Sequence, residues 1–523
     1  MSSAFSPAFL RGEARAHAFL PDDFRHADRR GENVRRAATR AVSAQTLEAL
    51  REQAAHLPPA PAREANLHAL GQPGTVVVVT GQQVGLFLGP LYSFYKAASA
   101  VAVARALQQE TGVRCVPIFW LQSEDHDFEE IDHCDLQGRE GELIRIQLTA
   151  PKRIPRASLS GLPLGPDVEV ALTRLASALD GLPHAAEVLA LFENHYRPER
   201  TWVNAFAGVM AELFDELVFL DPRVEALAAQ ARGVHQRAIL ECDRIASALL
   251  ERNALLERQG FTAQVHVRPD APLSFFHPEG DAGPRFRLEA REGCWGLVGR
   301  SDTRTTQQLL DTDPLCLSTS ALLRPILQDT LLPTAAIVGG PGELNYFAQL
   351  QPLYAHFGVP MPMLVPRARF RVIDARTRSL LATLGLTAAE VEVSTETLLR
   401  RLTPALTPEL LERRLAEAID PILAEVPTKP GSDTEDALKR TRATITRAIT
   451  RLSGRYAREL QRGDQTLTSR VGRLQSALSP HGEPQERVLG LPGFAARIGL
   501  KNFTSLVLGQ LEAFGVTVKE LSS

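Results

Sequence analysis

Residues 75–96 read Thr75-Val-Val-Val-Val-Thr80-Gly-Gln-Gln-Val-Gly85-Leu-Phe-Leu-Gly89-Pro-Leu-Tyr92-Ser-Phe-Tyr-Lys96, and the succession of residue types in this stretch decides the fold class. The valine run between two threonines is β-branched and shows no polar alternation, the pattern of a strand covered on both faces. Gly81, Gly85 and Gly89 then break the run. Pro90 suits a first helical turn, and Leu91, Phe94, Ala98 and Val101 recur on one face through Arg105, so a helix packs back on the sheet. The stretch 113–121, with Val116, Ile118, Phe119 and Trp120, supplies the next strand and completes a βαβ unit.

The same grammar returns downstream. Ala335-Ala-Ile-Val338 reads as a strand, Gly339-Gly-Pro-Gly342 as a turn, 343–357 as a helix and 361–365 as a strand. Between the two units, 217–220 reads as a further parallel strand, preceded by a helix through Phe206, Met210, Leu213 and Phe214. This alternation predicts an α/β chain built on a Rossmann-type, doubly wound parallel sheet. Two regions interrupt it as small β-rich insertions near 138–190 and 255–315, with strand candidates at 143–148, 261–267, 273–276, 286–290 and 294–298.

From 407 to 479 aromatics nearly vanish. Leu438, Ile445, Ile449, Leu452, Tyr456 and Leu460, then Leu467, Val471, Leu474 and Leu478, step by seven, four and three. A preceding helix carries Leu410, Leu411, Leu415, Ile419, Ile422 and Leu423 and is broken over 427–431, which predicts a C-terminal antiparallel coiled-coil arm, with an ordinary helical bundle as the alternative. The expected division is a core over 1–374, the arm over 375–479, and a segment over 480–523 that returns to the core.

Composition narrows the function. A chain of 523 residues, 44% hydrophobic and 23% charged, can bury a large core and more than one structural unit. With 58 Lys+Arg against 61 Asp+Glu and no basic run interleaved with aromatics, nucleic acid is not the expected partner; a small polar substrate is. Cys115, Cys134, Cys242, Cys294 and Cys316 are too scattered for a disulfide framework and contain no CxxC pair, as in a chain kept reduced. No signal-peptide core is visible over 1–15 and no run approaches about 18 apolar residues, so a cytoplasmic protein without a membrane span is expected.

In an open α/β sheet the ligand crevice lies outside the carboxyl ends of the strands, which nominates four loops. The first, Gly81 to Gly85 with Gly89-Pro-Leu-Tyr92, places glycines and a helix N-terminus after a strand, a geometry suited to a phosphate or carboxylate. Lys96 lies seven residues beyond Gly89, so the loop is neither a Walker A motif nor the dinucleotide fingerprint. A tight turn that lets helix and sheet approach is the alternative. Gln82 and Gln83 favour binding, because adjacent amides in a crevice need partners. The second loop gathers Glu124, Asp125, His126 and Asp127, followed by Glu129, Glu130 and His133, a set suited to acid–base work or to recognition of an ammonium group. Its alternatives are helix capping and a metal site from His126, Asp127, His133 and Cys134, whose spacing matches no zinc motif. The third is Gly339-Gly-Pro-Gly-Glu343, which on its own reads as a strand-to-helix turn. The fourth is Pro366-Arg367 with Arg369, able to clamp a carboxylate or phosphate or to form surface pairs. His235 and His356 are given no role.

Taken together, Thr80-Gly-Gln-Gln-Val-Gly85, Gly89-Pro-Leu-Tyr92 with Lys96, Phe119-Trp120 with Glu124-Asp-His-Asp-Phe128 and Ile131, and Gly339-Gly-Pro-Gly-Glu343 with Tyr346 resemble the bacillithiol-biosynthesis cysteine-adding family. Gln264-Val-His266, Phe357-Gly358 with Pro362 and Pro366-Arg367, and Gln485-Glu-Arg487 extend the resemblance over nearly the whole chain. The resemblance implies a core similar to class I nucleotidyltransferases, two connecting-peptide insertions, a coiled-coil arm and a homodimer. It also implies a cysteine ligase that joins L-cysteine to glucosaminyl malate through an amide, with ATP as the expected activator by analogy with related cysteine ligases; no metal is expected, since the candidate ligands match no zinc spacing. The HIGH signature of class I enzymes is absent, its place approximately taken by Gly89-Pro-Leu-Tyr92.

On that resemblance Asp125, His126 and Asp127 are the catalytic group, holding the cysteine ammonium or the attacking amine, with His126 as base. Gln82, Gln83, Gly85 and Gly89 cradle phosphate or carboxylate, and Tyr92 and Lys96 form the crevice wall. Glu124, Gly340, Gly342, Glu343 and Arg367 complete the substrate- or nucleotide-binding set. Two other functions compete: a metal-assisted hydrolase using the 124–133 cluster, and a non-catalytic nucleotide-binding accessory protein of the same thiol pathway.

Overall fold

Strand Val76–Gln82 (β1), helix Tyr92–Thr111 (α1) and strands Cys115–Leu121 (β2) and Val218–Leu220 (β3) form the first half of a central sheet. Strand Thr334–Gly339 (β4), helix Pro341–Phe357 (α2) and strand Met363–Pro366 (β5) form the second. The computed structural model describes residues 4–139, 141–149, 155–402 and 407–522, with backbone alone over 460–464. Every pairing in this sheet is parallel, and the order is β5-β4-β1-β2-β3. The chain therefore winds from β1 outward to β3, then returns and winds from β4 outward to β5. This is the doubly wound Rossmann-type order, and its switch point lies between β1 and β4.

Why both faces are covered is visible in β2. Val116, Ile118 and Trp120 join one apolar core, and Phe119 and Leu121 join a second, so alternate side chains enter different cores. The valines of β1 are fully buried, as the unalternating run predicts. Helix α1 exceeds the expected single stripe: Ala100, Val103, Ala104 and Leu107 enter the first core while Phe94, Tyr95, Ala98 and Val101 enter the second. The helix is apolar around most of its circumference because it is enclosed, not laid on a surface. It also starts after Pro90, whose backbone bridges to Gly490 while the Leu91 N–H donates to Leu489 O at 2.9 Å.

The insertions are β-rich in part. Strands Leu317–Thr319, Ser274–Phe276, Phe286–Arg291, Cys294–Leu297 and Thr303–Arg304 form a five-stranded antiparallel sheet in that order. The predicted strand over 261–267 is absent. Val265 instead donates its N–H to Gln349 Oε1 at 2.9 Å and accepts from Gln349 Nε2 at 3.0 Å, so one buried amide on α2 satisfies the backbone that a strand would have paired. Leu143–Gln147 is a strand, paired with His133–Gln137. His133 and Cys134 thus belong to a hairpin and not to the loop that the sequence assigned them.

Two compact units divide the chain, Met1–Val372 with Glu486–Ser523, and Ile373–Gln485. In the second, helices Pro408–Ala424 (α3) and Asp433–Leu478 (α4) run antiparallel: Asp420 pairs with Arg442 at 2.9 Å, and Ser453 Oγ donates to Pro408 O at 3.1 Å. Two expected seam residues face solvent, Leu452 at 51% and Ile422 at 64% exposure, and Ser453 occupies the seam beside Leu452. The Leu460 side chain lies outside the described residues. Val471, Leu474, Ala477 and Leu478 of α4 bury against Leu381, Leu386, Val391 and Leu398, so a small bundle continues from the two-helix hairpin. Among the described residues no helix is long and apolar enough to cross a membrane.

Candidate active site

A cleft of about 450 Å³ opens at the switch point between β1 and β4. Gln82, Gln83, Tyr92 and Lys96 line it from the β1 exit, and Gln122, Asp125 and Glu130 from the β2 exit. Gly340, Gly342, Glu343 and Tyr346 line it from the start of α2, and Arg367 from the residues after β5. Its size is that of a small-molecule site.

Lys96 is the pin of this cleft. Its ammonium is buried and bonds to Gly81 O at 2.8 Å, Gln82 Oε1 at 2.9 Å and Glu343 Oε2 at 2.5 Å. Burial pushes its pKa down, and the Glu343 carboxylate opposes that shift. Glu343 Oε2 also accepts the Gly340 N–H at 2.8 Å, so the carboxylate closes the first turn of α2 and ties it to β1 across the switch point. Gln82 Nε2 donates to the Tyr92 hydroxyl at 3.2 Å, which completes this wall.

The second loop splits by depth. Glu124 is buried: its carboxylate accepts from the Thr319 hydroxyl and lies 3.9 Å from Arg223. Burial raises its pKa against the pull of Arg223. Asp125 faces the cleft. Gln83 Nε2 donates to its Oδ2 at 2.7 Å, and the His126 N–H donates to its Oδ1 at 2.7 Å, with the His126 ring nitrogen Nδ1 at 3.2 Å from the same oxygen. Burial alone would raise the Asp125 pKa, but the His126 hydrogen bonds, the nearby Arg285 charge and Gln83 hold it well below the usual carboxylate range. The result is a fixed anion in the cleft wall.

Gly85 and Gly89 meet each other instead of the cleft. A Cβ on Gly85 would stand 2.9 Å from the Gly89 Cα, and Gly89 has φ 61° and ψ −150°, a conformation that only glycine adopts readily. Between them Phe87 and Leu88 hold positive φ. The turn is locked by Phe87 packed on Phe192 and Tyr196, and by Leu86 N donating to Ile131 O at 2.8 Å. Gly89→Ala is expected to lower stability by about 1–3 kcal/mol, measured by denaturant unfolding.

Arg367 lines the cleft over the Tyr92 ring and donates to Glu486 Oε1 at 2.8 Å, while Arg369 reaches the same oxygen at 3.0 Å. Burial would raise the Glu486 pKa, but the two guanidinium groups lower it. Its stabilising contribution is therefore present above the unfolded value, about 4.3, and is lost as pH falls through the lower folded value. Glu486→Gln should cost about 3–5 kcal/mol at neutral pH, because it leaves buried arginine charge unmatched, and the gap to the wild type should narrow below about pH 4. Urea unfolding of both proteins across that range reads the difference.

Of the residues named from sequence, Gln82, Gln83, Tyr92, Lys96, Asp125, Gly340, Gly342, Glu343 and Arg367 line one cleft. Gly85, Gly89 and Glu124 lie behind it as structural support, and His126 and Asp127 stand beside Asp125 outside the lining. The set considered as metal ligands is dispersed: His133 pairs with Asp132 at 2.8 Å, and Cys134 is buried beside Gly490. Among the described residues no three His, Cys, Asp or Glu side chains gather as a metal site. Sequence reasoning gave Ala321 and Arg324 no part, and no local motif marks them. Gln264 and Arg487 also line the cleft, and they carry a signal only inside the longer resemblance.

Residues 1–368 match the family model described as "Bacillithiol biosynthesis BshC, N-terminal Rossmann-like domain", and residues 370–515 match its "C-terminal coiled-coil domain". The chain belongs to the BshC family of bacillithiol biosynthesis. BshC relatives named "Putative cysteine ligase BshC" include proteins from Solibacter usitatus and Koribacter versatilis. The first is 33% identical over 83% of this chain and 82% of its own length, and the second 33% identical over 85% and 83%. A third, from Heliobacterium modesticaldum, is 35% identical over 63% of this chain and 61% of its own length. The Rossmann-type and coiled-coil halves of the family correspond to the parallel sheet and the helical hairpin described above.

Proposed function

We propose that the protein is a cysteine ligase that joins the carboxyl group of L-cysteine to the glucosamine amine of glucosaminyl malate. The observation that carries the reading is a cleft at the switch point of a BshC-family sheet whose wall presents fixed charges of both signs, Asp125, Glu130 and Glu343 beside Lys96, Arg324 and Arg367. Cysteine is a zwitterion, and the second substrate carries an amine and carboxylates. Asp125, kept ionised, is suited to hold an ammonium or amine, and the His126 imidazole, 3.2 Å from its carboxylate, would relay the proton that the amine loses.

Amide formation from a free carboxylate requires that an oxygen leave with an activating group. The start of α2 beyond the Gly340 N–H that Glu343 already holds, where Gly342 lies in the cleft lining, suits a phosphate together with Arg367. ATP would supply the leaving group there; the chain's own residues orient the two substrates, and the His126 imidazole would take the proton that the amine gives up on attack. A homodimer belongs to the same reading.

The test is incubation of the purified protein with L-cysteine, glucosaminyl malate and ATP, followed by mass spectrometry. Bacillithiol should appear only when all three are present; its absence, with unchanged substrates, would sink the proposal.

A further inference from the structure

The cleft's cations are not equivalent. Lys96 is paired with Glu343 in contact, and Arg367 with Glu486, whose carboxylate it shares with Arg369. Arg324, at the start of helix Arg324–Leu331, is 8% exposed and lines the cleft. Its guanidinium donates to Gln328 Oε1 at 3.0 Å and to the Tyr346 hydroxyl at 2.7 Å, both uncharged. Among the described residues no carboxylate lies within ion-pair distance of it, and Glu343, whose field reaches it, is already committed to Lys96.

A buried guanidinium whose hydrogen-bond partners are all neutral is a costly arrangement, because the charge has left water with no carboxylate in contact and only the field of Glu343 to offset it. It is also the arrangement that a carboxylate ligand completes, since the planar donor set matches two oxygens. Tyr346 adds to it. Its hydroxyl accepts from Arg324, so its own proton remains to be donated, and burial pushes its pKa up to about 12, which keeps that proton in place. Stacking on Phe347 at 5.1 Å fixes the ring.

We propose that Arg324 and the Tyr346 hydroxyl form the receptor for a non-reacting carboxylate of the amine substrate, the malyl end of glucosaminyl malate. This assignment rests on the ligase reading for the identity of the substrate. The malyl group is preferred over the cysteine carboxylate for a chemical reason: the cysteine carboxylate must itself attack the activating group, and a fixed bidentate guanidinium would withdraw the electron density that attack needs. A malyl carboxylate keeps both oxygens through the reaction, so a tight ion pair binds it without impeding a step. Arg324 and Tyr346 then set specificity for an anionic aglycone and orient the glucosamine amine.

The full-length protein and its Arg324→Gln and Tyr346→Phe variants are titrated calorimetrically with L-malate and assayed for bacillithiol formation. Arg324→Gln should weaken malate binding and raise the KM for glucosaminyl malate by about 10- to 100-fold, and leave the KM for cysteine and for ATP within about twofold. Tyr346→Phe, which keeps the ring and removes one hydroxyl, should produce the same pattern at about three- to tenfold, and it decides the matter if Arg324→Gln does not fold. With methyl glucosaminide, an amine without the malyl group, wild type and variants should perform alike. A rise in the cysteine or ATP KM instead, an equal loss with methyl glucosaminide, or malate binding unaltered by either variant overturns the assignment. If the wild type forms no bacillithiol, the ligase reading fails by itself, while the malate titration still decides whether Arg324 and Tyr346 bind a carboxylate.

Discussion

Lys96→Met is expected to lower stability by about 3–5 kcal/mol and to remove ligase activity from what remains folded. Methionine matches the length and volume of the lysine stem, so the loss measures the ammonium and not a cavity. Three bonds disappear together, to Gly81 O, Gln82 Oε1 and Glu343 Oε2. The Glu343 carboxylate is left part-buried and without its contacting cation, with the Gly340 N–H still donating to Oε2. Breaking one side of a buried pair is more damaging than never having built it, because the surviving charge keeps its desolvation cost. Since Lys96 joins the exit of β1 to the start of α2, its loss also loosens the wall that Tyr92 and Gly340 contribute. Denaturant unfolding gives the first effect and product formation the second. The double variant Lys96→Met/Glu343→Gln should recover part of the stability, because the uncompensated carboxylate is gone.

Asp125→Asn is expected to behave in the opposite way, with a fold within about 1 kcal/mol of wild type and ligase activity reduced by at least about 100-fold. Asparagine keeps an oxygen for the His126 N–H, and the Gln83 amide can turn to meet the new NH2. What is lost is the permanent negative charge that Gln83, His126 and Arg285 maintain. If Asp125 holds an ammonium or amine, the KM for the substrate carrying that group should rise and the pH dependence of the rate should change. An Asp125→Asn protein with full activity would remove Asp125 from the catalytic group.

The contrast between these two residues explains how far the site could be read in advance. Asp125 and Lys96 stand in local patterns, a carboxylate cluster after a strand and a lysine one turn into a helix, and short-range spacing exposes both. Their depth does not follow from spacing. Glu124 and Asp125 are neighbours in sequence, yet one is buried under Thr319 and Arg223 and the other faces the cleft. Gly85 and Gly89 look like a ligand cradle because glycine marks both close ligand approach and close backbone packing; only the 2.9 Å approach between them distinguishes the two. Val265 misled for a related reason. Its segment has strand-like composition, but Gln349, more than eighty residues away, takes its hydrogen bonds.

The residue pattern alone determined the parallel α/β core, since an unalternating β-branched run, a glycine turn and an apolar helix repeated twice admit few other arrangements. It also determined the helical hairpin and the family, because strand, helix and heptad periods are local, and the family's motifs are short. The strand order came from packing. It put the switch point between β1 and β4, and so brought residues near 82, 125, 324, 343, 367 and 487 to one cleft. No local period encodes which distant loops share a crevice, because that depends on how two halves of a sheet are joined and which charges each burial leaves to be matched. Arg324 is the clearest case: it carries no motif, and its unmatched charge becomes visible only once its neighbours are in place.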